Sequence, residues 1–234
     1  MIAFVDVRRG ISGASLLAAL IDAGADPDAI ADRIDPLRAG VKVRAEEVVV
    51  DGLRSCRVVV DDADARMTDG PADLVHRLSQ SGLPPDVVHR VTEVYRRLAA
   101  AEARVHGVEA DAVRFEELGT VRSVVGVVGS LLALRQLGVD SVAATPLPFG
   151  GGLVETHHGR LPLPAPATLE LLRGIPVEPQ VGPGELVTPT GAALIAVLAS
   201  SFDGIPPATV EGVGIGSSRR PSTSIVTRLV LASP

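Results

Sequence analysis

Runs of β-branched and other apolar residues alternate along this chain with segments in which apolar residues recur every three or four positions. The first run, residues 2–7, predicts a buried strand, and the spacing of Leu16, Leu17 and Leu20 predicts a helix that ends at Gly24. The same spacing predicts helices at 27–34, 73–80, 84–106, 121–137, 166–173 and 191–200. Further strands are predicted at 41–50, 53–60, 141–148, 210–215 and 224–231.

Turn residues indicate how these elements connect. Asp51 and Gly52 lie between two Val-rich runs and form a dipeptide typical of β-hairpins, and the last two strands are also predicted to pair antiparallel. Residues 61–70 are acidic and lack apolar periodicity, which predicts an exposed loop, and the prolines of 161–166 exclude a helix or a regular strand interior. We therefore predict an α/β fold, a mixed sheet with antiparallel hairpins and flanking helices.

Length and composition limit the domain organisation. At about 150 residues per domain, the 234 residues correspond to roughly one and a half domains. We expect a single domain over 1–234, with 1–107 and 108–234 as possible lobes. Aromatic residues make up 2% of the chain, so the core must consist of Val, Leu, Ile and Ala.

Several classes of protein are excluded by the same counts. The one cysteine, Cys56, excludes an intrachain disulfide framework and a Cys-rich zinc module, and its place in a predicted strand favours a buried apolar role. The net charge of −6 provides no cationic field for nucleic acid. No apolar run is long enough for a transmembrane helix, and the first residues do not resemble a signal peptide, so we expect a cytoplasmic protein without a membrane partner.

Two turns that precede predicted helices are candidate anion sites. Gly10, Ser12 and Gly13 lie between the first strand and the first helix, where free backbone N–H groups meet the positive end of the helix dipole. Thr188 and Thr190 precede the last predicted helix and can cap it in the same way. The alternative for both turns is ordinary helix capping without a ligand.

Three other residues have side chains suited to acid–base or ligand chemistry. Glu185 precedes the second turn and suits a cation or a sugar hydroxyl. His158 lies beside a glycine cluster and a proline-rich loop and is able to transfer a proton near neutral pH, although adjacent His157 points to the opposite face of an extended segment. Glu117 follows Glu116 in a charged run, which is usually solvated. The alternative for each is a side chain without a chemical role.

Four segments together resemble the LarC nickel-insertion family. They are Gly-Ile-Ser-Gly at 10–13, Ala-x-Val-His-Gly at 103–107, His-Gly-x-Leu-Pro-x-Pro-Ala-Pro-Ala-Thr at 158–168 and Glu-Leu-Val-Thr-Pro-Thr-Gly-Ala-Ala at 185–193. The last two motifs are long and specific, and their order and spacing fit across nearly the whole chain. The family's C-terminal nucleotide-using domain has no counterpart in these residues, so we expect a separate chain as a possible source of it.

The resemblance implies a reaction and a set of site residues. The family inserts nickel into a pyridinium bisthiocarboxylic acid mononucleotide to form the nickel-pincer cofactor of lactate racemase, and its enzyme is a CTP-using cyclometallase. The phosphate of that substrate is a natural ligand for the two turns. The implied mononucleotide-binding residues are Gly10, Ser12, Gly13, Thr188 and Thr190, and the implied catalytic residues are Glu117, His158 and Glu185.

The chain departs from the family's motifs where metal ligands are expected. Arg114 and Glu116 stand in place of a His-x-His pair, Arg122 and Gly126 in place of two Asp residues, and Ala14 in place of the Asp that follows Ser-Gly. The acidic loop after the predicted hairpin contains no histidine where the family has a His-rich loop. Because a guanidinium has no lone pair to donate to nickel, we predict no metal site in this chain.

Three hypotheses follow for function. The chain is a LarC-type part of nickel-pincer cofactor assembly that still binds nickel, or a relative that keeps the mononucleotide pocket without the metal. The third hypothesis is an assembly module that forms a homo-oligomer through the small residues of 121–137. Arg114 and Arg122 favour an anion pocket over a cation pocket.

Overall fold

The computed structural model describes residues 1–38, 40–156, 158–179, 182–219 and 223–234. Its helices are α1 (Gly13–Asp22), α2 (Pro27–Ile34), α3 (Pro71–Gln80), α4 (Pro85–His106), α5 (Val121–Gln136), α6 (Pro166–Leu171) and α7 (Pro189–Leu198). Its strands are β1 (Ile2–Arg9), β2 (Val43–Val50), β3 (Leu53–Val60), β4 (Ser141–Ala144), β5 (Leu147–Pro148), β6 (Leu153–Thr156), β7 (Gly159–Pro162), β8 (Val177–Glu178), β9 (Ala199–Ser201), β10 (Thr209–Arg219) and β11 (Ser224–Ser233). Each helix predicted from apolar spacing is present.

Seven strands form the main sheet in the order β2-β3-β10-β11-β1-β4-β9. The pairs β2–β3, β10–β11 and β11–β1 are antiparallel, whereas β1–β4, β4–β9 and β10–β3 are parallel. The predicted α/β fold with a mixed sheet and antiparallel hairpins is therefore confirmed. Strands from both halves of the chain alternate in this sheet, and the division into lobes stays a prediction.

Helix α1 packs directly on the sheet because β10 carries glycine where the helix crosses it. A Cβ atom added to Gly216 would overlap the carbonyl oxygen of Ser15, and one added to Gly214 would overlap that of Ala19. The same face of the sheet contributes Ala3, Val5, Val7, Leu229 and Leu231 to the hydrophobic core. Cys56 is also buried, and burial raises the pKa of its thiol to about 11.

The small residues of α5 pack inside the subunit. A Cβ atom at Gly126 would lie 3.0 Å from the carbonyl carbon of Gly13, and one at Gly129 would lie 2.8 Å from a methyl group of Leu17. Helices α1 and α5 therefore touch backbone to backbone. Two small residues of α5 are therefore used for packing inside the subunit, and a homo-oligomer formed through this helix stays a prediction.

Two local expectations also need correction. The acidic segment 61–70 is not a simple exposed loop, because Met67 is buried and its N–H donates to the carbonyl of Gly119 at 2.7 Å. Pro162, by contrast, agrees with the prediction, because it is the last residue of strand β7, paired with Leu153, and does not lie in a strand interior. The predicted strand 141–148 is divided into β4 and β5.

None of the helices formed by the described residues is both long and apolar enough to cross a bilayer.

The opposite face of the sheet carries a buried carboxylate, Asp6, between two arginines. Nε of Arg8 donates to it at 2.9 Å and Nε of Arg228 at 3.0 Å. Burial alone would raise the pKa of Asp6, but the hydrogen bonds from Arg8 and Arg228 outweigh it and lower the pKa to about 2. The native state therefore binds this proton less tightly than the unfolded chain does.

We expect the Asp6→Asn variant to lose on the order of 2 kcal/mol of unfolding free energy at neutral pH. Because the folded pKa lies below the unfolded value of 3.8, this stabilisation is complete above that value and disappears as the pH falls towards 2. Urea unfolding at several pH values measures this stabilisation. The unfolding free energy of the variant should fall less than that of the wild-type protein as the pH is lowered.

The matched control is Glu93→Gln, because the pKa of Glu93 is also about 2, lowered by hydrogen bonds from Arg96 and Arg97. That network lies on the surface, where ion pairs contribute less than about 1 kcal/mol. Equal losses of stability in the two variants would contradict the importance of burial at Asp6.

Candidate functional site

The two predicted anion turns lie side by side. Ile11 and Val187 form an isolated parallel bridge in which the Ile11 N–H donates to the Leu186 carbonyl at 2.8 Å and the Thr188 N–H donates to the Ile11 carbonyl at 3.1 Å. A Cβ atom on Gly191 would lie 2.5 Å from the carbonyl oxygen of Ile11. The start of α7 is thereby held against the start of α1.

Gly10 allows this approach of the two turns. Its φ is 101°, which favours glycine, and a Cβ atom there would lie 2.5 Å from the carbonyl oxygen of Leu186. Its carbonyl accepts a hydrogen bond from Thr227 at 3.0 Å. Gly10 is therefore a packing residue of the site, and the structure places it behind the turn.

Both helix starts are capped by hydroxyl groups. Ser12 and Ser15 form a reciprocal capping box on α1, with the Ser15 N–H donating to Oγ of Ser12 at 3.0 Å. Oγ1 of Thr188 accepts from the Gly191 N–H at 3.1 Å and lies 3.1 Å from Oγ1 of Thr190. The predicted caps are thus present on both helices, and anion binding at either turn stays a prediction.

A cavity of about 300 Å³ opens in front of these turns. Its wall includes Ser12 and Gly13 at the start of α1, Arg122 in the first turn of α5 and Thr190 at the start of α7. Strand β3 contributes Arg57 and three valines that follow it, and the end of β10 contributes Ser218. The volume lies at the small end of the range for ligand pockets.

Three helix N-termini therefore converge on one cavity. The first N–H groups of an α-helix have no partner within the helix itself, and on α5 those of Val121 and Arg122 donate to the carbonyls of Ala65 and Ala63. On α1 the capping box uses only the Ser15 amide, so within the described part of the chain the amides of Gly13 and Ala14, two residues of the wall, have no acceptor. The partial positive charges of the three helix ends add to the charge of Arg122 and favour an anion.

Arg122 is placed so that a ligand can compete for it. Its side chain is 52% exposed and forms an ion pair of 2.7 Å with Asp64, which is 87% exposed. Exposed ion pairs of this kind are weak. An anion in the cavity can therefore replace Asp64 as the partner of the Arg122 guanidinium, and only a weak ion pair is lost.

The wall of the cavity contains three positions at which we expect, from the resemblance, a departure from the family's metal ligands. They are Ala14, Arg122 and Gly126. Over the described ranges of the chain, no group of three or more His, Cys, Asp or Glu side chains is arranged to hold a metal ion.

The three predicted catalytic residues occupy separate places around this site. Glu185 immediately precedes Leu186, which contacts the Gly10 turn. His158 lies between β6 and β7, and its ring stands 4.8 Å from that of His106 at the end of α4. Glu117 is exposed in a short 3-10 turn before α5, where its carbonyl accepts from Ser123 at 2.8 Å. His157 lies outside the described residues.

None of these three side chains is among the described residues that line the cavity. The residues that sequence reasoning missed are Ser218 and Arg219, at the end of β10. Oγ of Ser218 lies 2.8 Å from Oγ of Ser12, although the two residues are 206 positions apart. The one sequence signal for them is a run of polar residues that starts two positions after the predicted strand 210–215, which is too common to indicate a site.

Comparison with known proteins assigns this chain to a family. A family model described as "Nickel insertion protein" matches residues 3–233. A "Putative nickel insertion protein" of Geobacter sulfurreducens is 42% identical over 222 residues, which are 94% of this chain and 57% of the relative. The "Pyridinium-3,5-bisthiocarboxylic acid mononucleotide nickel insertion protein" of Desulfitobacterium hafniense is 37% identical over 92% of this chain and 54% of its own length.

The curated relatives are therefore longer than this chain, which spans a little over half of their length. No solved structure was found to match. The family model covers nearly all residues, including both turns and the cavity between them, so the resemblance suggested by the four motifs is confirmed. The chain belongs to the nickel insertion protein family, the LarC family of nickel-pincer cofactor biosynthesis.

Proposed function

We propose that this chain binds the phosphate-bearing part of an anionic pyridine mononucleotide and takes part in nickel-pincer cofactor assembly without holding the nickel itself. The observation that carries this proposal is the convergence of the α1, α5 and α7 N-termini, together with Arg122, on one cavity. Phosphate is the ligand that such helix ends favour. The name of the Desulfitobacterium hafniense relative supports a pyridinium mononucleotide as the substrate class.

Nickel is the second substrate of the family's reaction, and the cavity wall argues against its binding here. Arg122 and Gly126 stand where the family has aspartates, and Ala14 stands where it has a third. Three carboxylates around one cavity would attract a divalent cation, whereas a guanidinium repels it. In this proposal the chain holds and orients the nucleotide, and nickel ligands come from elsewhere.

Each element of the cavity has a distinct role in this binding. The amides of Gly13 and Ala14 bond phosphate oxygens, the hydroxyl of Ser218 adds a further hydrogen bond, and Arg122 supplies a full charge. The apolar β3 wall accommodates the ring or the ribose. Three expectations from the resemblance stay predictions. They are catalytic roles for Glu117, His158 and Glu185, a role for CTP, and a separate chain that supplies a C-terminal domain.

Charge reversal at the cavity tests the proposal. We expect Arg122→Glu to weaken binding of nicotinic acid mononucleotide by at least about 10-fold, because an attractive charge becomes a repulsive one in a site of reduced dielectric. Isothermal titration calorimetry at low ionic strength measures the affinity, and added salt should weaken binding to the wild-type protein.

Arg135→Glu is the matched control. Arg135 lies on the same helix, is 55% exposed and forms an ion pair of 2.7 Å with Asp86. The Arg135→Glu variant makes the same change of charge on the same helix, but Arg135 lies outside the cavity wall. We therefore expect its affinity for nicotinic acid mononucleotide to change by less than 2-fold. Unaltered affinity in Arg122→Glu, or equal losses in both variants, would place the nucleotide elsewhere.

A further inference from the structure

The hydroxyl groups of Ser12 and Ser218 form a pair at the inner wall of the cavity, with their Oγ atoms 2.8 Å apart. Ser218 is partly exposed at the end of β10, and Ser12 is 2% exposed as the N-cap of α1. Since either oxygen is able to donate in this contact, the direction of the bond depends on the neighbours of each.

The hydroxyl groups of Ser15 and Thr227 lie behind the pair, and their protons are used in hydrogen bonds that do not involve Oγ of Ser12. Thr227 donates to the Gly10 carbonyl at 3.0 Å, so in its 2.8 Å contact with Ser15 it can only accept. Ser15 then has no second proton to offer to Ser12, and its Oγ accepts from the Ser12 N–H at 2.9 Å. Each hydroxyl carries one proton, and that of Ser15 goes either to Thr227 or to the Ser12 carbonyl at 3.1 Å, so in neither case does it reach Oγ of Ser12.

Two arrangements remain for the pair. In one, Ser12 donates to Oγ of Ser15 at 3.1 Å and Ser218 donates to Ser12, which turns the lone pairs of Ser218 towards the cavity. In the other, Ser12 turns and donates to Ser218, and the proton of Ser218 points into the cavity. The second arrangement gives up only the 3.1 Å bond between Ser12 and Ser15, while the Ser12 N–H continues to satisfy Oγ of Ser15.

We propose that Ser218 is the residue that recognises the ligand's acceptor oxygen, and that binding reverses the hydrogen bond between Ser218 and Ser12. The inference rests on the proposed function, because it assumes that the ligand in the cavity is an anion. An anionic oxygen offers a charge-assisted bond to the Ser218 proton, which is stronger than the neutral bond that the reversal gives up. Oγ of Ser12 is already held by the Ser15 N–H, so no backbone movement is needed.

The pair therefore selects for acceptor atoms at this position. A phosphoryl oxygen drawn to the three helix ends receives the Ser218 proton. A ligand group that only donates finds the lone pairs of Ser218 in the first arrangement, but it also meets the partial positive charge of the α1 N-terminus. Electrostatics and hydrogen bonding thus favour the same ligand atom, a negatively charged oxygen.

The test compares the affinities of wild-type protein, Ser218→Ala and Ser218→Thr for nicotinic acid mononucleotide and for inorganic phosphate by calorimetry. We expect Ser218→Ala to lose about 10-fold or more for both probes, because a charge-assisted bond is lost, and Ser218→Thr to retain most of the affinity. Ser218 caps no helix, so thermal unfolding should show little change in either variant.

Ser130→Ala is the control for removal of a hydroxyl group. Ser130 is fully buried on α5 and donates to the Gly126 carbonyl at 2.7 Å, but it lies outside the cavity wall. Its removal should change stability more than affinity. If Ser218→Ala binds both probes as wild type does while Arg122→Glu does not, the role of Ser218 is overturned and the proposed function stands. If Arg122→Glu also binds as wild type does, both proposals fail.

Discussion

Replacement of Gly216 by alanine should prevent stable folding. A Cβ atom there would overlap the carbonyl oxygen of Ser15 and lie 2.9 Å from the carbonyl carbon of Ala18, and both atoms belong to the backbone of α1. Neither helix nor strand can relieve the overlap by a side-chain rotation, so α1 must move off the sheet. We expect a loss of more than about 3 kcal/mol, measured by chemical denaturation and circular dichroism.

Gly212→Ala is the matched control on the same strand. The nearest atom to a Cβ there is Cδ1 of Leu231 at 3.4 Å, the far end of a flexible side chain. We expect its unfolding free energy to stay within about 1 kcal/mol of wild type. Normal folding of Gly216→Ala would show that α1 does not pack on β10 at this distance.

A second large effect is expected when carboxylates are placed in the cavity. The double variant Ala14→Asp, Arg122→Asp removes one positive charge and adds two negative ones at the wall. Each charge contributes about 1 kcal/mol at short range in a partly solvated site, so affinity for nicotinic acid mononucleotide should fall by about 100-fold. The same variant should gain submillimolar Ni²⁺ binding, since carboxylate oxygens can coordinate the ion and guanidinium cannot.

The neutral double variant Ala14→Asn, Arg122→Asn separates charge from shape. It should lose the contribution of Arg122 alone, about 5-fold in affinity, and should show no nickel binding. Calorimetric titrations with the nucleotide and with Ni²⁺ are run on both variants. Retention of nucleotide affinity by the aspartate variant, or tight nickel binding by the wild-type protein, would contradict the anion assignment.

The secondary structure was largely predictable because it depends on local patterns. The helix from Pro85 to His106 follows from apolar residues spaced by three and four, and the hairpin follows from Asp51 and Gly52 between Val-rich runs. Met67 was assigned to an exposed loop because its burial depends on a hydrogen bond to Gly119, which no local pattern encodes.

The candidate site was predictable in part. The sequence predicts Ser12 as one cap and either Thr188 or Thr190 as the other, because capping depends on residues two or three positions away, and the structure has Thr188. Their meeting through the bridge between Ile11 and Val187 depends on tertiary packing, and so does the arrival of Ser218 beside Ser12. Sequence reasoning therefore identified the parts of the cavity that helix starts provide and missed the part that β10 provides.

The glycine contact between α1 and α5 also sets the width of the cavity mouth. Because the backbones touch at Gly13 and Gly126, a side chain at either position would act as a wedge and force the two helix ends apart. Any residue larger than glycine at position 126 thus requires wider spacing of these helices. The cavity that Gly13 and Gly126 line therefore keeps its present width only while both positions carry glycine.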